Sequence, residues 1–388
     1  MNFDDFLRDE LARIESAGLR RSLRTITSPQ GAEVVCDGRS LLNFSSNDYL
    51  GLAGHPRLIE AARTATEATG AGSGASRLIS GNHRQHEELE QELARFKKAE
   101  AVLTFSSGYA AALGTLPALA GEADVIILDK LCHASLIDAA RLSGAVMRVF
   151  PHSHLEKLES HLRWAREKHP CSRVLVVVES VYSMDGDCAP LREIVDLKDR
   201  FGAWLFVDEA HGVGVLGSHG RGLADEQHVA DRIEIQMGTL GKALGAAGAY
   251  VCGRRDLRDY LINSARSFIF STAPAPGVAA AASAAVGLLD STEGEKLVRR
   301  LADVRSKLAR LLGQESSPSA VFPISIGDER RAVAVSHRLR EDGFWVPAVR
   351  FPTVAKGSAR LRATVTAGHT DDQLEKLADA LQTAIREA

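Results

Sequence analysis

The sequence predicts an α/β fold, a large domain with a mostly parallel sheet flanked by helices, followed by a smaller α+β C-terminal domain. Three observations carry this. From Ala101 onward, short apolar runs are each followed by a polar or glycine-bearing loop and then a helical pattern, the alternation that builds βαβ units. Runs such as Trp204 to Val207 are apolar without interruption, as strands are when helices cover both faces of a sheet. After Phe270 to Pro276 the rhythm changes to long helices separated by single strands. With 388 residues, 45% of them hydrophobic, the chain can bury a large core and is long for one domain. The expected division is an N-terminal helix and hairpin segment over 1–45, a large domain over 46–285 and a small domain over 286–388.

In chain order, apolar residues at helical spacing (Phe3, Phe6, Leu7, Leu11, Ile14) predict a helix from Phe3 to Leu23, closed by Arg20, Arg21 and Arg24 at its negative end. Val34 to Phe44 reads as a hairpin turning at Asp37-Gly38. A polar-aromatic loop over 45–52 leads to a helix from His55-Pro56 to Thr69. Gly70 to Gly81 is too rich in glycine and serine for a regular element, and loops of that length in compact domains are commonly functional. A helix follows over Gln85 to Phe96. Strands are expected at Ala101–Phe105, Val125–Leu128, Val146–Phe150 and Val174–Val178, with helices at Ala110–Leu119, Ser135–Leu142 and up to Lys168 between them. The C-terminal unit reads as helices Ala279–Leu289 and Lys296–Leu312, strand Val321–Ile326, helix Arg331–Asp342, strands Trp345–Val349 and Ala359–Thr366, and helix Asp371–Arg386.

Composition narrows the function classes. The net charge is −3 with both signs interspersed, which gives no electrostatic reason to bind nucleic acid or an anionic membrane. Five scattered cysteines without a CxxC pair argue against a disulfide framework or a zinc site and for a reduced, cytoplasmic protein. The acidic, amphipathic start is not a signal peptide, and no apolar run approaches membrane-spanning length. No metal is expected.

The chemistry gathers where apolar runs stop. Trp204 to Val207 ends in Asp208, Glu209 and His211, and ligands of parallel sheets sit at the carboxyl ends of strands. Downstream, Lys242 stands alone among Leu240, Ala243, Leu244, Ala246 and Ala247; a lysine in such surroundings has a depressed pKa and is a better nucleophile and base than an exposed one. An acid at a strand end, a nearby histidine and a lysine in a glycine-rich loop point to pyridoxal phosphate, with Lys242 as Schiff-base lysine and Asp208 holding the pyridinium nitrogen protonated. A Walker-A loop is excluded, because Ala243 follows Gly241-Lys242 and Gln236 stands where a glycine is required. Gly212, Gly214 and Gly217 do spell GxGxxG after a strand, which keeps a nicotinamide-dependent oxidoreductase as a second class; the loop that follows, with no helix expected, counts against it. Ser107-Gly108-Tyr109 is either an ordinary strand-to-helix turn or a phosphate seat at a helix N-terminus, with Thr239 adding a hydroxyl. His133 is a helix cap or a ring-stacking residue, and Ser183 a turn former or a site residue.

Seven segments, NFSSNDYLGL (43–52), GSGASRLISG (72–81), LCHASLIDAA (131–140), VYSMDGDCAPL (181–191), VDEAHGVGVLGSHGRG (207–222), GTLGKALG (238–245) and RLRATVTAGHT (360–370), together resemble the α-oxoamine synthases, pyridoxal-phosphate enzymes of fold type I. The resemblance spans nearly the whole chain. It implies decarboxylative condensation of an amino acid with an acyl-CoA, here L-alanine with pimeloyl-CoA, or glycine with acetyl-CoA as the alternative. It implies that Lys242 carries the cofactor and moves the Cα proton, that Asp208 faces the ring nitrogen and that His133 stacks on the ring. His211 and Ser183 would lie near the phenolic oxygen, and Gly108, Tyr109 and Thr239 at the phosphate. Ser271 and Thr272 would reach the phosphate of a neighbouring subunit, so that a homodimer shares its sites. Arg362 would hold the amino-acid carboxylate, and Asn47 and His133 would also bind substrate; Arg21 and Thr353 would meet the acyl substrate, an assignment open between Arg20 and Arg21.

Overall fold

The computed structural model describes residues 2–314 and 317–388. Its centre is a seven-stranded sheet in the order Ala101–Phe105, Ala249–Gly253, Ile235–Thr239, Trp204–Asp208, Val174–Glu179, Val125–Asp129 and Val146–Phe150. Ala249–Gly253 runs antiparallel to both neighbours and every other pairing is parallel. Unbroken apolar strands are what a sheet covered on both faces requires, and here the alternate side chains separate into two layers. Ile126, Leu128, Leu175, Val177 and Phe206 pack with helices Gly108–Leu119 and Ala134–Leu142. Val125, Ile127, Val176, Leu205 and Val207 pack with helices Leu155–Lys168 and Leu191–Arg200. Each such buried side chain contributes about 1.5–3 kcal/mol. The consequence for function is geometric: the parallel strands all end on one side, where Asp129, Glu179, Asp208 and Thr239 stand in a row.

Two three-stranded sheets complete the molecule. The hairpin Glu33–Cys36 and Arg39–Asn43 turns through Asp37 and Gly38, both at positive φ (50° and 77°), as a type I′ turn demands. Its second strand pairs in parallel with Phe344–Trp345 from the C-terminal region. Val321–Gly327, Ala359–Thr364 and Ala348–Val349 form the other sheet, and the Thr364 N–H donates to the Phe44 carbonyl. The first and last parts of the chain are thereby joined beside the carboxyl edge of the large sheet. Among the described residues no helix is long and apolar enough to cross a membrane.

Several expectations change. The first helix is Phe3–Ser16, not Phe3 to Leu23: the chain leaves it through Gly18 at φ 66°, and Arg20 and Arg21 lie beyond it. Trp345–Val349 is two short strands rather than one, interrupted at Val346-Pro347, where the proline has no N–H to give a ladder. Ala359–Thr366 stops as a strand at Thr364. Ile235–Thr239 and Ala249–Gly253 are core strands in a region whose sequence looks mainly like glycine-rich loop.

The GxGxxG segment is followed after all by a 3₁₀ turn, Ser218–Gly220, and a one-turn helix, Leu223–Glu226. That helix N-terminus is filled by the chain's own acid. Glu209, fully buried, accepts the N–H groups of Leu223 (3.1 Å) and Ala224 (2.8 Å). A Cβ on Gly212 would lie 2.1 Å from Glu209 Oε2, and one on Gly222 would lie 2.6 Å from it. Gly212 of the motif and Gly222 beyond it thus wrap a carboxylate, while Gly214 and Gly217 are closed by Ala243 and the Gly222 carbonyl, which leaves no seat for a dinucleotide phosphate.

Candidate active site

At the strand ends the side chains converge. Asp208 closes its strand, and its Oδ1 accepts the Ala210 N–H at 2.8 Å, which fixes the carboxylate's direction. Burial pushes its pKa up to about 6, against the pull of Lys242. Lys242 sits in the tight turn that leaves Ile235–Thr239, closed by Gly245 N–H to Lys242 O and Ala246 N–H to Leu240 O. Burial brings its amine down to about 8, although Asp208 and Glu179 hold it up. An amine in that range is still an ammonium at neutral pH but gives up its proton far more readily than an exposed lysine, and once neutral it can take one from a substrate carbon.

From Lys242 a hydrogen-bonded series runs through the site. Lys242 Nζ lies 2.6 Å from His211 Nε2, and His211 Nδ1 lies 2.6 Å from the Tyr49 hydroxyl. Tyr49 Oη is 3.2 Å from Asn47 Oδ1, which accepts from the Arg362 guanidinium at 3.1 Å. Arg362 also donates through Nε to the Ser183 carbonyl (2.6 Å). Burial and the Lys242 charge keep His211 neutral, well below the ordinary histidine range. His133 caps helix Ala134–Leu142; its Nδ1 meets Ser135 Oγ at 2.8 Å and its backbone N–H donates to Glu179. Burial and Lys242 lower its pKa too. Lys242, Asp208, His211, His133, Asn47, Ser183 and Arg362 are thus assembled in one place.

The phosphate side is a helix start. Ser107 Oγ accepts the Ala110 N–H at 3.0 Å, and the N–H groups of Gly108 and Tyr109 have no protein acceptor among the described residues. Thr239 Oγ1 donates to the Gly248 carbonyl (3.1 Å), and Thr239 and Phe105 both pair with Ala249, so the hydroxyl and the helix start share one end of the sheet. The Tyr109 hydroxyl donates to Asp138.

Arg21 and Thr353 lie elsewhere, lining a groove of about 610 Å³ together with Arg20, Arg24, Arg340 and Arg350. Both Arg20 and Arg21 face it. Its wall at Pro347 accepts the Arg362 N–H, so the groove adjoins the site through one strand. Ser271 and Thr272 make no hydrogen bond to the Lys242 cluster among the described residues; Thr272 instead bridges Ser76 in the 70–81 loop. Beside them Ile79 and Phe270 are 81% and 71% exposed.

Three residues in the site escape a reading of the sequence. Tyr49 lies within the first motif, but its contact with His211 spans 162 positions. Glu179 is the register partner of Asp208 on the adjacent strand; burial, with Asp208 beside it, pushes its carboxyl far up, which leaves Asp208 as the ionised acid. His152 bridges Asp129 Oδ1 (3.1 Å) and Asp187 Oδ2 (2.6 Å), and so fastens the loop that carries Ser183 to the sheet. Despite burial, these two carboxylates raise the His152 pKa to about 10. Its charge stabilises the fold fully below the ordinary pKa of 6.5, and that stabilisation is lost as pH climbs through about 10. The His152→Asn variant is expected to lower unfolding free energy by about 1–2 kcal/mol near neutral pH, solvent at the partly exposed ring and at Asp187 screening the pair, a gap that closes above pH ~10. Urea unfolding of both proteins across that range checks it; a gap independent of pH would refute it.

The donor set suits pyridoxal phosphate: a buried acid for the ring nitrogen, a lysine of depressed pKa and two N–H groups without acceptors at a helix start. A sequence profile described as aminotransferase class I and II matches residues 39–381. The chain belongs to that family. It is 48% identical over 377 residues to the 8-amino-7-oxononanoate synthase of Geobacter sulfurreducens, covering 96% of each protein. Among solved structures, serine palmitoyltransferase of Sphingomonas wittichii superposes with a TM-score of 0.91 at 31% identity, covering 99% of this chain and 97% of that one. An 8-amino-7-oxononanoate synthase from Francisella tularensis gives 0.76 at 27% identity, covering 89% and 98%. The fold is that of the fold-type-I pyridoxal-phosphate transferases, the chain is an enzyme and pyridoxal phosphate is its cofactor. The nicotinamide alternative is thereby set aside.

Proposed function

We propose that the protein is an acyltransferase of biotin biosynthesis that condenses L-alanine with pimeloyl-CoA, or a pimeloyl carrier thioester, to 8-amino-7-oxononanoate, free thiol and carbon dioxide. The observation that carries this reading is the placement of Lys242 on one hydrogen-bonded series with Arg362, with the Asp208 carboxylate close enough to act on the lysine's charge, beside a groove lined with arginines. Asp208 would hold the ring nitrogen, Lys242 the aldehyde carbon, and Gly108, Tyr109 and Thr239 the phosphate. Bound there, the cofactor supplies an electron sink for the carbanion at the amino-acid α-carbon.

The chain's own residues do the rest. Arg362, with its planar fork, holds the alanine carboxylate and orients Cα–H toward Lys242. Lys242 Nζ takes the Cα proton and returns one after decarboxylation. His133 covers the ring and donates to the thioester oxygen as charge develops there. Arg21, Thr353 and their arginine neighbours in the groove meet the anionic acyl donor; one carboxylate and the CoA phosphates all suit that lining. Ile79 and Phe270, exposed beside Ser271 and Thr272, favour a second copy of the chain on this face, with those two residues completing the partner's phosphate site. The reduced cysteines accord with a cytoplasmic enzyme.

The test is thiol release by the purified, cofactor-loaded protein. Release with L-alanine and pimeloyl-CoA is expected to exceed release with glycine and acetyl-CoA by 10-fold or more, on the order of the 1–3 kcal/mol a pocket gains per methylene. Preference for the second pair would move the assignment to a glycine C-acetyltransferase and keep the site.

A further inference from the structure

We propose that Tyr49 is a positioning residue whose hydroxyl, turning between His211 and Asn47, allows His211 to present its Nε2 as an acceptor to Lys242 or as a donor to the bound cofactor. The inference rests on the pyridoxal-phosphate reading for its second state only.

The donors decide the arrangement. Arg362 has no acceptor capacity, so the Asn47 atom 3.1 Å from it is the carbonyl Oδ1, fixed as an acceptor. The Tyr49 hydroxyl carries one hydrogen and has two acceptors in reach, His211 Nδ1 at 2.6 Å and Asn47 Oδ1 at 3.2 Å. In the protein without cofactor, the Lys242 ammonium only donates. His211 Nε2 must then be bare and Nδ1 protonated; Nδ1–H donates to Tyr49 Oη, and the Tyr49 hydrogen points to Asn47. If an anionic phenolic oxygen lies against Nε2 instead, the ring must carry its hydrogen there. Nδ1 is then bare, and the Tyr49 hydroxyl turns to donate to it. Every polar atom is satisfied in both arrangements. One proton leaves Nδ1 and one arrives at Nε2, exchanged with water, so the ring stays neutral throughout. Burial supports this: it keeps the Tyr49 phenol protonated, against the Arg362 charge, and it keeps His211 neutral. An apolar residue at 49 lacks a group that both accepts and donates at this point, and an unsatisfied Nδ1 would lock one tautomer.

Nitrogen NMR of protein labelled in its histidine rings reads the tautomer directly, with His211→Asn to assign the signal. Without cofactor, near neutral pH, the wild type is expected to show protonated Nδ1 and bare Nε2; addition of pyridoxal phosphate is expected to reverse the two. Tyr49→Phe, nearly the same shape, leaves an Nδ1–H without an acceptor, so the Lys242 amine is expected to give up its proton to water and accept from Nε2–H, and the variant to show protonated Nε2 in both conditions. One tautomer in both conditions in the wild type, or an unaltered reversal in Tyr49→Phe, overturns the proposal. The wild-type comparison does not depend on the Tyr49 variant folding. Failure of pyridoxal phosphate to bind at all would sink the functional reading, whereas a bare Nδ1 in the cofactor-free wild type would sink the role of Tyr49 alone.

Discussion

Lys242→Ala is expected to lower turnover by about 10⁴-fold or more, with no measurable release of CoA and a folded protein. Two losses coincide. On the proposed mechanism, the amine that would anchor the cofactor disappears, and so does the base that would take the Cα proton. The neighbourhood tolerates the change, because Leu240, Ala243 and Leu244 around it are buried by their own packing and the turn is closed by backbone bonds. Removing the lysine also takes one positive charge from a site that holds Asp208 and Glu179, so both carboxyl pKa values should rise further, since Lys242 lowers each of them. Thiol trapping gives the rate, and circular dichroism with thermal unfolding gives the fold. Turnover within 10-fold of the wild type would remove Lys242 from the centre of the reaction, since a positioned base alone accounts for about 10²–10⁴.

Local signals make much of this site readable, and long-range pairing hides the rest. Asp208 is legible because an apolar strand that ends in an acid marks both the element and its functional end. Lys242 is legible because small apolar neighbours are odd around an exposed lysine. Tyr49, Glu179 and His152 are not legible from local pattern. Each gains its role from a partner on another element: His211, the parallel register with Asp208, and the pair Asp129 and Asp187. Nothing in the spacing of NDYLGL announces a hydrogen bond to a residue 162 positions away. The helix boundaries show the same division. Arginines suit a helix C-terminus and so extend the expected N-terminal helix to Leu23, yet Gly18 at φ 66° ends it first and Arg20 and Arg21 line a groove instead. The strand Ala249–Gly253 is short and bounded by glycine, and only its place between Ala101–Phe105 and Ile235–Thr239 makes it a strand. The meaning of GxGxxG depends on a residue outside the motif: with Glu209 filling the space a phosphate would need, the glycines report close packing.

Asp208→Asn is expected to reduce kcat by about 10²–10³ while the dissociation constant for pyridoxal phosphate rises much less. On the proposed assignment, the phosphate seat and Lys242 would hold the cofactor irrespective of residue 208, whereas the electron sink would depend on a protonated ring nitrogen, which an amide cannot keep. The size of the loss is set by Glu179. In the wild type, Asp208 raises the Glu179 pKa, and burial does the larger part. Without the Asp208 charge, Glu179 ionises more readily one strand away and recovers part of the field at the ring. The amine of Lys242 should drop further, because Asp208 is the principal group holding it up against burial. The double variant Asp208→Asn, Glu179→Gln therefore separates the two acids. A further fall of about 10-fold beyond the single variant is expected from losing the second charge near the site. Equal rates in wild type and Asp208→Asn would show that ring protonation does not limit the reaction. Equal rates in the single and double variants would confine the electrostatic role to Asp208 and leave Glu179 only the task of holding the His133 backbone.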